Sequence, residues 1–275
     1  MTAAQRWREG LAAWAIPQHI LDAAPEDPWG HSPEMFARRA DDGRDIMTPS
    51  RRAAAEALPP GGAVLDVGCG AGAASLPLAG RAGEITGIDP SQAMLDEFVS
   101  RMRAAGSGHR TLRGTWAEVG DRAPVADVVL CYHVAYNVAE LNDLVAGITA
   151  HCRRRVVLEL TAQHPLSWLN DLWSRFHGIQ RPAGPTADDA AAVLNEAGLE
   201  PQRADWEPDA TGRRTTFASE EQMVAWVRRR LCLPETRDAE IRDALGDRIQ
   251  VGPGGDAGFP RRPLVTLWWD VPGGP

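Results

Sequence analysis

Short apolar runs separated by amphipathic stretches recur along most of the chain. Continuous apolar runs are typical of strands buried in a parallel sheet, and apolar residues at three- and four-residue spacing are typical of helices. This pattern predicts strands at 64–67, 84–89, 110–114, 127–131, 156–160, 202–207 and 264–269. We therefore expect an α/β fold with a mostly parallel seven-stranded sheet and helices on both faces.

The segment 1–58, which precedes the first strand, is predicted to be mostly helical. Trp7, Leu11 and Trp14 recur there at helical spacing, and Ser50 is predicted to cap a helix that runs to Leu58. Residues 59–275 form the main domain, and a helical insertion at 208–263 precedes the last strand.

Three glycines at alternate positions, Gly68, Gly70 and Gly72, follow the first strand, and 73–79 is predicted to be a helix. A strand, a glycine turn and a helix open the nucleotide sites of α/β proteins, because glycine lets the backbone turn sharply and touch a ligand. Asp89 ends the second strand. Its separation from Asp66 along the chain is close to the spacing of about 20 residues expected for a ribose-binding acid. A nicotinamide cofactor stays open here, because the looser dinucleotide fingerprint accepts Ala73.

The pattern Asp66-x-Gly68-x-Gly70-x-Gly72 resembles the first motif of the class I S-adenosylmethionine-dependent methyltransferases. Residues 84–94 resemble their second motif, 126–131 their fourth strand and 186–198 the helix before their sixth strand. The resemblance covers 55–207 and the last strand. It implies a Rossmann-like fold with S-adenosylmethionine as cofactor and S-adenosylhomocysteine as product. It also implies in-line methyl transfer to an oxygen or nitrogen of a small molecule, and it makes 1–58 either a packing extension or a lid over the cofactor.

The same resemblance implies a set of cofactor contacts, which are Asp66, Gly68, Cys69, Gly70, Asp89, Pro90, Met94, Thr115, Trp116, Ala117, Cys131 and Tyr132. Asp66 is expected either to fix the glycine loop or to bind the amino group of the methionine part. Thr115 stands where the family often has an aspartate. Trp116 has two open interpretations, a ring over one adenine face or a side chain packed under the loop.

His133 is the candidate catalytic residue. Ligands in open parallel sheets lie beyond the carboxyl ends of the strands, and His133 follows the fourth strand there. An imidazole ordinarily titrates near neutral pH, as a general base requires, and the alternative is a histidine bonded to the loop backbone. The expected acceptor contacts are Trp29, His31, Phe36, Tyr136, His164 and Trp168.

The composition of the chain limits the classes of molecule that we expect it to bind. The formal net charge is −8 and the basic residues are all arginine, so we expect a small-molecule acceptor and no nucleic acid. The four cysteines are scattered, which predicts neither a metal site nor a disulfide frame. No apolar run of membrane-spanning length occurs, and we expect a cytoplasmic protein that does not enter a membrane. A protein or RNA acceptor and a non-catalytic cofactor-binding protein stay as alternatives, and the oligomeric state is not predicted.

Overall fold

The computed structural model describes residues 1–30, 47–208, 217–259 and 261–273. Its described strands are β1 (Ala63–Val67), β2 (Glu84–Asp89), β3 (His109–Arg113), β4 (Ala126–Tyr132), β5 (Cys152–Thr161), β6 (Gln202–Trp206), β7 (Gln250–Val251), β8 (Ala257–Gly258) and β9 (Leu264–Asp270). Seven of them form one sheet in the order β3-β2-β1-β4-β5-β9-β6, and β9 runs antiparallel to both of its neighbours. The expected α/β fold with seven mostly parallel strands is confirmed.

The described helices cover both faces of this sheet. They are α1 (Ala3–Ala12), α2 (Gln18–Ala23), α3 (Pro49–Ala57), α4 (Gln92–Ala104), α5 (Trp116–Val119), α6 (Leu141–Ala150), α7 (Asn170–His177), α8 (Ala187–Glu196), α9 (Glu220–Arg230) and α10 (Asp238–Leu245). Alternate strand residues point to opposite faces. Leu65 therefore packs in one core with α1, α6 and α8, and Val64 packs in another core with α3 and α4.

The insertion before β9 forms a third apolar core. Its helices α9 and α10 pack with α7 and with residues of the N-terminal segment around Ile16 and Ile20. Arg228, whose side chain is nine-tenths buried, joins these parts through ion pairs to Glu26 at 3.1 Å and Asp238 at 2.9 Å. The N-terminal segment therefore packs both on the sheet and on the insertion. None of the helices in the described ranges is long and apolar enough to span a bilayer.

The chain after the glycine turn differs from expectation. The predicted helix at 73–79 is a series of turns with one 3₁₀ turn at Leu76–Leu78. Pro77 has no N–H and so cannot bond the carbonyl of Ala73, which accepts from Arg51 Nη2 at 3.2 Å instead. No helix N-terminus therefore faces the loop at this point, and its contacts must come from the loop backbone itself.

The cap of α3 also differs. The prediction that Ser50 caps this helix is wrong, since Thr48 is the N-cap and its hydroxyl accepts from Arg51 N at 3.3 Å. Ser50 lies within the first turn of the helix and is fully buried against the sheet. Its hydroxyl is thereby available for a contact inside the protein.

Candidate active site

A cavity of about 1590 Å³ opens at the carboxyl ends of β1, β2, β4 and β5. Ligand pockets usually hold roughly 300–1,000 Å³, so this space has room for more than one small molecule. Of the predicted cofactor contacts, the structure places the following on its wall: Gly68, Cys69, Gly70, Asp89, Pro90, Met94, Thr115, Trp116, Ala117 and Tyr132. Residues from other segments complete the wall; they are Asp27, Trp29, Gly30, Met47, Thr48, Pro49, Arg51, Trp206, Glu207, Pro208, Arg261, Arg262 and Leu264.

Two glycines of the loop after β1 serve different needs. Both have left-handed backbone angles, with φ of 71° at Gly68 and 50° at Gly70. A Cβ at Gly68 would lie 2.2 Å from Cγ2 of Val134, so this position needs glycine for packing. A Cβ at Gly70 would meet no atom within 4 Å, and Gly70 lines the cavity. Gly70 thus gives a ligand access to the bare backbone.

Asp89 lies at the junction between this loop and α4. Its carboxylate accepts hydrogen bonds from Gly70 N at 3.0 Å and from Ser91 N at 2.9 Å. These bonds hold the two oxygens in place on the cavity wall beside Pro90 and Met94. The arrangement presents a fixed, charged acceptor, which binds hydroxyl donors more strongly than a neutral group would.

Asp66 and Cys131 were also predicted to contact the cofactor, but the structure places both beneath the wall. Asp66 is 1% exposed, and neither of its carboxylate oxygens has a hydrogen-bond partner among the described residues. Burial raises the pKa of Asp66 to about 7, with a further increase from the charge of Asp89 and a decrease from the Ser75 hydroxyl. Burial likewise raises the pKa of Cys131 to about 12. Neither Asp66 nor Cys131 lines the cavity, and both roles expected for Asp66 stay predictions.

Trp116 begins α5 and packs against α6. A Cβ at Gly147 of α6 would lie 2.6 Å from Trp116 Nε1, and the ring meets His151 edge-on at 5.2 Å. The neighbouring Thr115 hydroxyl donates to Glu118 Oε2 at 2.9 Å, which closes the first turn of α5. The indole therefore packs against α6 while it also borders the cavity. A contact with adenine stays a prediction.

His133 follows β4 with φ of 62°, which is uncommon for a residue other than glycine. Its Nε2 lies 3.0 Å from Glu159 Oε1, and its backbone N–H donates to the carbonyl of Glu159 at 2.8 Å. Because a carboxylate only accepts, Nε2 carries the proton in this pair and Nδ1 is the basic nitrogen. The side chain is 36% exposed and lines the cavity. Its ring thus bonds a carboxylate, and its role as a general base stays a prediction.

Comparison with known proteins agrees with this geometry. Residues 64–155 match the family model described as a methyltransferase domain, and that segment contains the glycine loop, Asp89 and His133. Residues 64–155 are thus a methyltransferase domain. Outside this segment, the chain adds the N-terminal helices, the elements from α7 to β6, the insertion and β9.

The curated relatives match parts of this chain. An uncharacterised protein of Haemophilus influenzae is 35% identical over 102 residues, which make up 37% of this chain and 38% of that protein. A ubiquinone biosynthesis O-methyltransferase of Azorhizobium caulinodans is 26% identical over 52% of this chain and 64% of that enzyme. The chain thus spans less than two thirds of the length of either relative.

Among solved structures, the chain is similar in fold to a cyclopropane-fatty-acyl-phospholipid synthase-like protein of Lactobacillus casei. The TM-score is 0.53 at 17% identity, and the match covers 92% of this chain and 98% of that protein. A likeness at this level of identity shows a shared fold.

The structure places the predicted acceptor contacts in different surroundings. Trp29 lies at the rim of the cavity and is 48% exposed. His31 and Phe36 lie outside the described residues. Tyr136, His164 and Trp168 do not appear on the wall of this cavity.

Tyr136 and His164 pack instead between the N-terminal segment and β5. The Tyr136 hydroxyl donates to the carbonyl of Thr161 at 2.6 Å, and the His164 ring stacks on Trp14 at 3.7 Å. Burial lowers the pKa of His164 to about 3, and nearby arginines lower it further, so the ring is neutral. Trp168 packs on Phe259 of the insertion at 4.1 Å. These three side chains fill apolar cores.

Two residues of the site were missed from the sequence. Glu159 interrupts the apolar run of β5 and is only 7% exposed, and a lone carboxylate in a buried strand was the signal that could have found it. Arg51 lies on α3, lines the cavity and donates to the loop at Ala73. No short sequence motif marks Arg51, because α3 and the glycine loop are separate segments of the chain. They come into contact only in the folded protein.

Proposed function

We propose that this protein transfers a methyl group from S-adenosylmethionine to a hydroxyl oxygen of a small molecule. The observation that carries the proposal is the His133–Glu159 pair on the wall of the cavity that holds the glycine loop and Asp89. The sequence left oxygen and nitrogen acceptors open. A base paired with a carboxylate favours a group that must lose a proton, and the relative from Azorhizobium is named an O-methyltransferase.

The residues around the loop fit the cofactor. Gly70 has open space where a side chain would be, and Asp89 is held by two backbone amides. Asp89 would accept the ribose hydroxyls, and Gly68 and Gly70 would contact the amino-acid part through their backbone. Arg51 is a cation on the same wall and would bind its carboxylate. The cofactor supplies a methyl group that its sulfonium centre has already activated.

On the acceptor side, the chain has to orient a hydroxyl group and remove its proton. The oxygen must approach to about 3–3.5 Å in line, and such positioning is worth about 7–11 kcal/mol. Nδ1 of His133 would accept the hydroxyl proton while Nε2–H stays bonded to Glu159. The imidazolium would then lie against a carboxylate, which stabilises its charge. General base catalysis of this kind contributes about 10²–10⁴-fold in rate.

Cofactor binding is tested first. Calorimetric titration with S-adenosylhomocysteine is expected to give one site in the wild type and at least tenfold weaker binding in Asp89→Ala. Asp96→Ala is the matched control, because Asp96 is an exposed carboxylate on α4 that bonds Gln92. Unchanged affinity in Asp89→Ala would contradict the ribose assignment, and tighter binding of a nicotinamide dinucleotide would replace the cofactor.

The acceptor is tested second, with labelled S-adenosylmethionine and a panel of hydroxylated, amino-bearing and macromolecular acceptors. Label is expected in small hydroxylated molecules, and His133→Gln is expected to reduce kcat by 10²-fold or more with unchanged cofactor affinity. The control is His109→Gln, since His109 begins the far strand β3 and its ring bonds the carbonyl of Ser107. Transfer only to protein or RNA would overturn the small-molecule acceptor, and full activity in His133→Gln would overturn the base.

A further inference from the structure

A line of buried hydrogen bonds runs from the cavity wall to Glu159. Trp206 Nε1 lies 3.1 Å from Thr266 Oγ1, which lies 2.7 Å from Ser50 Oγ. Ser50 Oγ in turn lies 2.5 Å from Glu159 Oε2. Trp206 lines the cavity at one end, and His133 lies at the other end on Oε1 of the same carboxylate. The line thus joins two separate parts of the wall through the interior.

Each proton in this line has a defined direction. The indole Nε1–H of Trp206 can only donate, and the Glu159 carboxylate can only accept. Ser50 must therefore give its hydroxyl proton to Glu159, and Thr266 must give its own to Ser50. Every donor in the line points toward the carboxylate. Such a series polarises its members in one sense, which strengthens the last bond to the charge.

The positions of these residues depend on four elements. Thr266 of β9 is directly opposite Glu159 of β5 and directly opposite Ala204 of β6, two residues before Trp206. Ser50 reaches the sheet from α3. Ser50 and Thr266 are 0% exposed, so water does not replace a missing hydroxyl there without a rearrangement.

The charged and titratable groups around Glu159 come from neighbouring elements. His133 bonds it from the end of β4, and Tyr132 is opposite it in the β4–β5 register. The Tyr132 hydroxyl is buried without a hydrogen-bond partner among the described residues. Burial raises the pKa of this hydroxyl, the charges of Glu159 and Asp66 raise it further, and the charge of Arg51 lowers it. Two carboxylates and one phenol thus share this region with Arg51, and donors aimed at Glu159 favour its charged form.

We propose that Ser50, Thr266 and Trp206 are positioning residues that hold Glu159 ionised and oriented, so that Glu159 keeps Nε2 of His133 bonded and turns Nδ1 toward the acceptor. The proposal rests on the base function of His133 given above. Removing a donor makes the carboxylate bind a proton more readily, so the His133–Glu159 pair takes up its first proton at higher pH. The unprotonated pair is the active form. As the pH falls, a variant therefore loses this form at a higher pH than the wild type does.

The experiment follows a series of variants along the line. Ser50→Ala removes the donor to Glu159, Thr266→Val removes the next link at nearly constant shape, and Trp206→Phe removes the last. The acid limb of the pH profile of kcat is expected to rise by about one pH unit in Ser50→Ala and by progressively less in the other two. Thr266→Ser keeps the hydroxyl and is the matched control, with an unshifted limb.

A merely structural effect would lower kcat equally at every pH and would follow the loss of thermal stability. The proposed effect disappears at high pH, with KM and the affinity for S-adenosylhomocysteine unchanged. An acid limb that stays in place in both Ser50→Ala and Thr266→Val, each folded and binding S-adenosylhomocysteine as the wild type does, overturns the proposal. If Ser50→Ala does not fold, Trp206→Phe at the half-buried edge of the sheet gives the same test at smaller amplitude.

Titration of the His133 ring by nuclear magnetic resonance needs no acceptor and separates this proposal from the proposed function. Its signals are assigned by their loss in His133→Gln. The pH at which the pair takes up its first proton should rise in the same order along the series. If this order appears but His133→Gln retains full activity, the positioning line stands and the base fails. If His133→Gln is inactive but the order is absent, the base stands and the line fails.

Discussion

The substitution Gly70→Ala tests whether the glycine loop is the wall against which the cofactor binds. Gly70 has φ of 50° and no atom within 4 Å of an added Cβ, while Gly68 has φ of 71° and Val134 at 2.2 Å from such a Cβ. The two substitutions add the same methyl group two residues apart. One methyl would enter the cavity, and the other would enter the core.

The expected magnitudes follow from these distances. A left-handed conformation costs about 1–2 kcal/mol for alanine, which applies to both variants. At Gly68 the contact with Val134 adds an overpacking cost of about 1–3 kcal/mol. We expect Gly70→Ala to lower the melting temperature by about 2–8 °C, and Gly68→Ala by clearly more. The affinity for S-adenosylhomocysteine should fall at least tenfold in Gly70→Ala, which corresponds to about 1.4 kcal/mol.

The assay is thermal unfolding of both variants without ligand, followed by calorimetric titration well below their melting temperatures. Gly68→Ala reports how far a damaged loop alone weakens binding. The reasoning is refuted if Gly70→Ala binds S-adenosylhomocysteine within twofold of the wild type, because the new methyl would then lie outside the space that the cofactor takes. It is also refuted if Gly70→Ala is the less stable variant.

Three further predictions concern other residues of the site. Asp66→Asn should stabilise the protein above pH 7 by up to about 4 kcal/mol. The pKa of Asp66 is about 7 in the folded protein against an ordinary 3.8, so ionisation of this carboxyl opposes folding. Urea unfolding at several pH values should show the gain in stability shrinking as the pH falls toward 4. An equal gain at pH 5 and 8 contradicts it. Arg51→Gln should weaken binding of S-adenosylhomocysteine about tenfold and leave 5′-methylthioadenosine, which lacks the carboxylate, unchanged. Trp29→Ala should raise the KM of the acceptor without changing cofactor affinity, and the reverse result would place Trp29 on the cofactor side.

Much of the cavity wall around the glycine loop could be predicted from the sequence. The segment from Asp66 to Gly72 and the position of Asp89 are local patterns, in which a few neighbouring residues carry both the turn and the contact. Backbone angles at Gly68 and Gly70 agree with that prediction, because only glycine adopts them without strain. One local prediction failed for an equally local reason, since Pro77 cannot donate the bond that a helix at 73–79 needs.

Prediction from the sequence was less accurate where the role of a residue depends on the direction in which its side chain points. Tyr136 and His164 follow the ends of β4 and β5, as ligand-binding residues often do, yet their side chains turn into the core between the sheet and the N-terminal segment. Ser50 has the composition of a helix cap, but Thr48 takes that position and Ser50 bonds Glu159. Sequence position placed these residues near the right edge without giving the direction of the side chain.

The sequence by itself determined the order of strands and helices along the chain and the glycine turn after β1, because both depend on neighbours along the chain. The tertiary structure alone decided the environment of His133. The line of hydrogen bonds behind it joins four elements: β5 with Glu159, α3 with Ser50, β9 with Thr266 and β6 with Trp206. Only the packing of these elements brings each polar atom within 3.1 Å of the next. Hydrogen bonds between distant segments require the whole fold to be in place, so no short pattern in the chain could announce them.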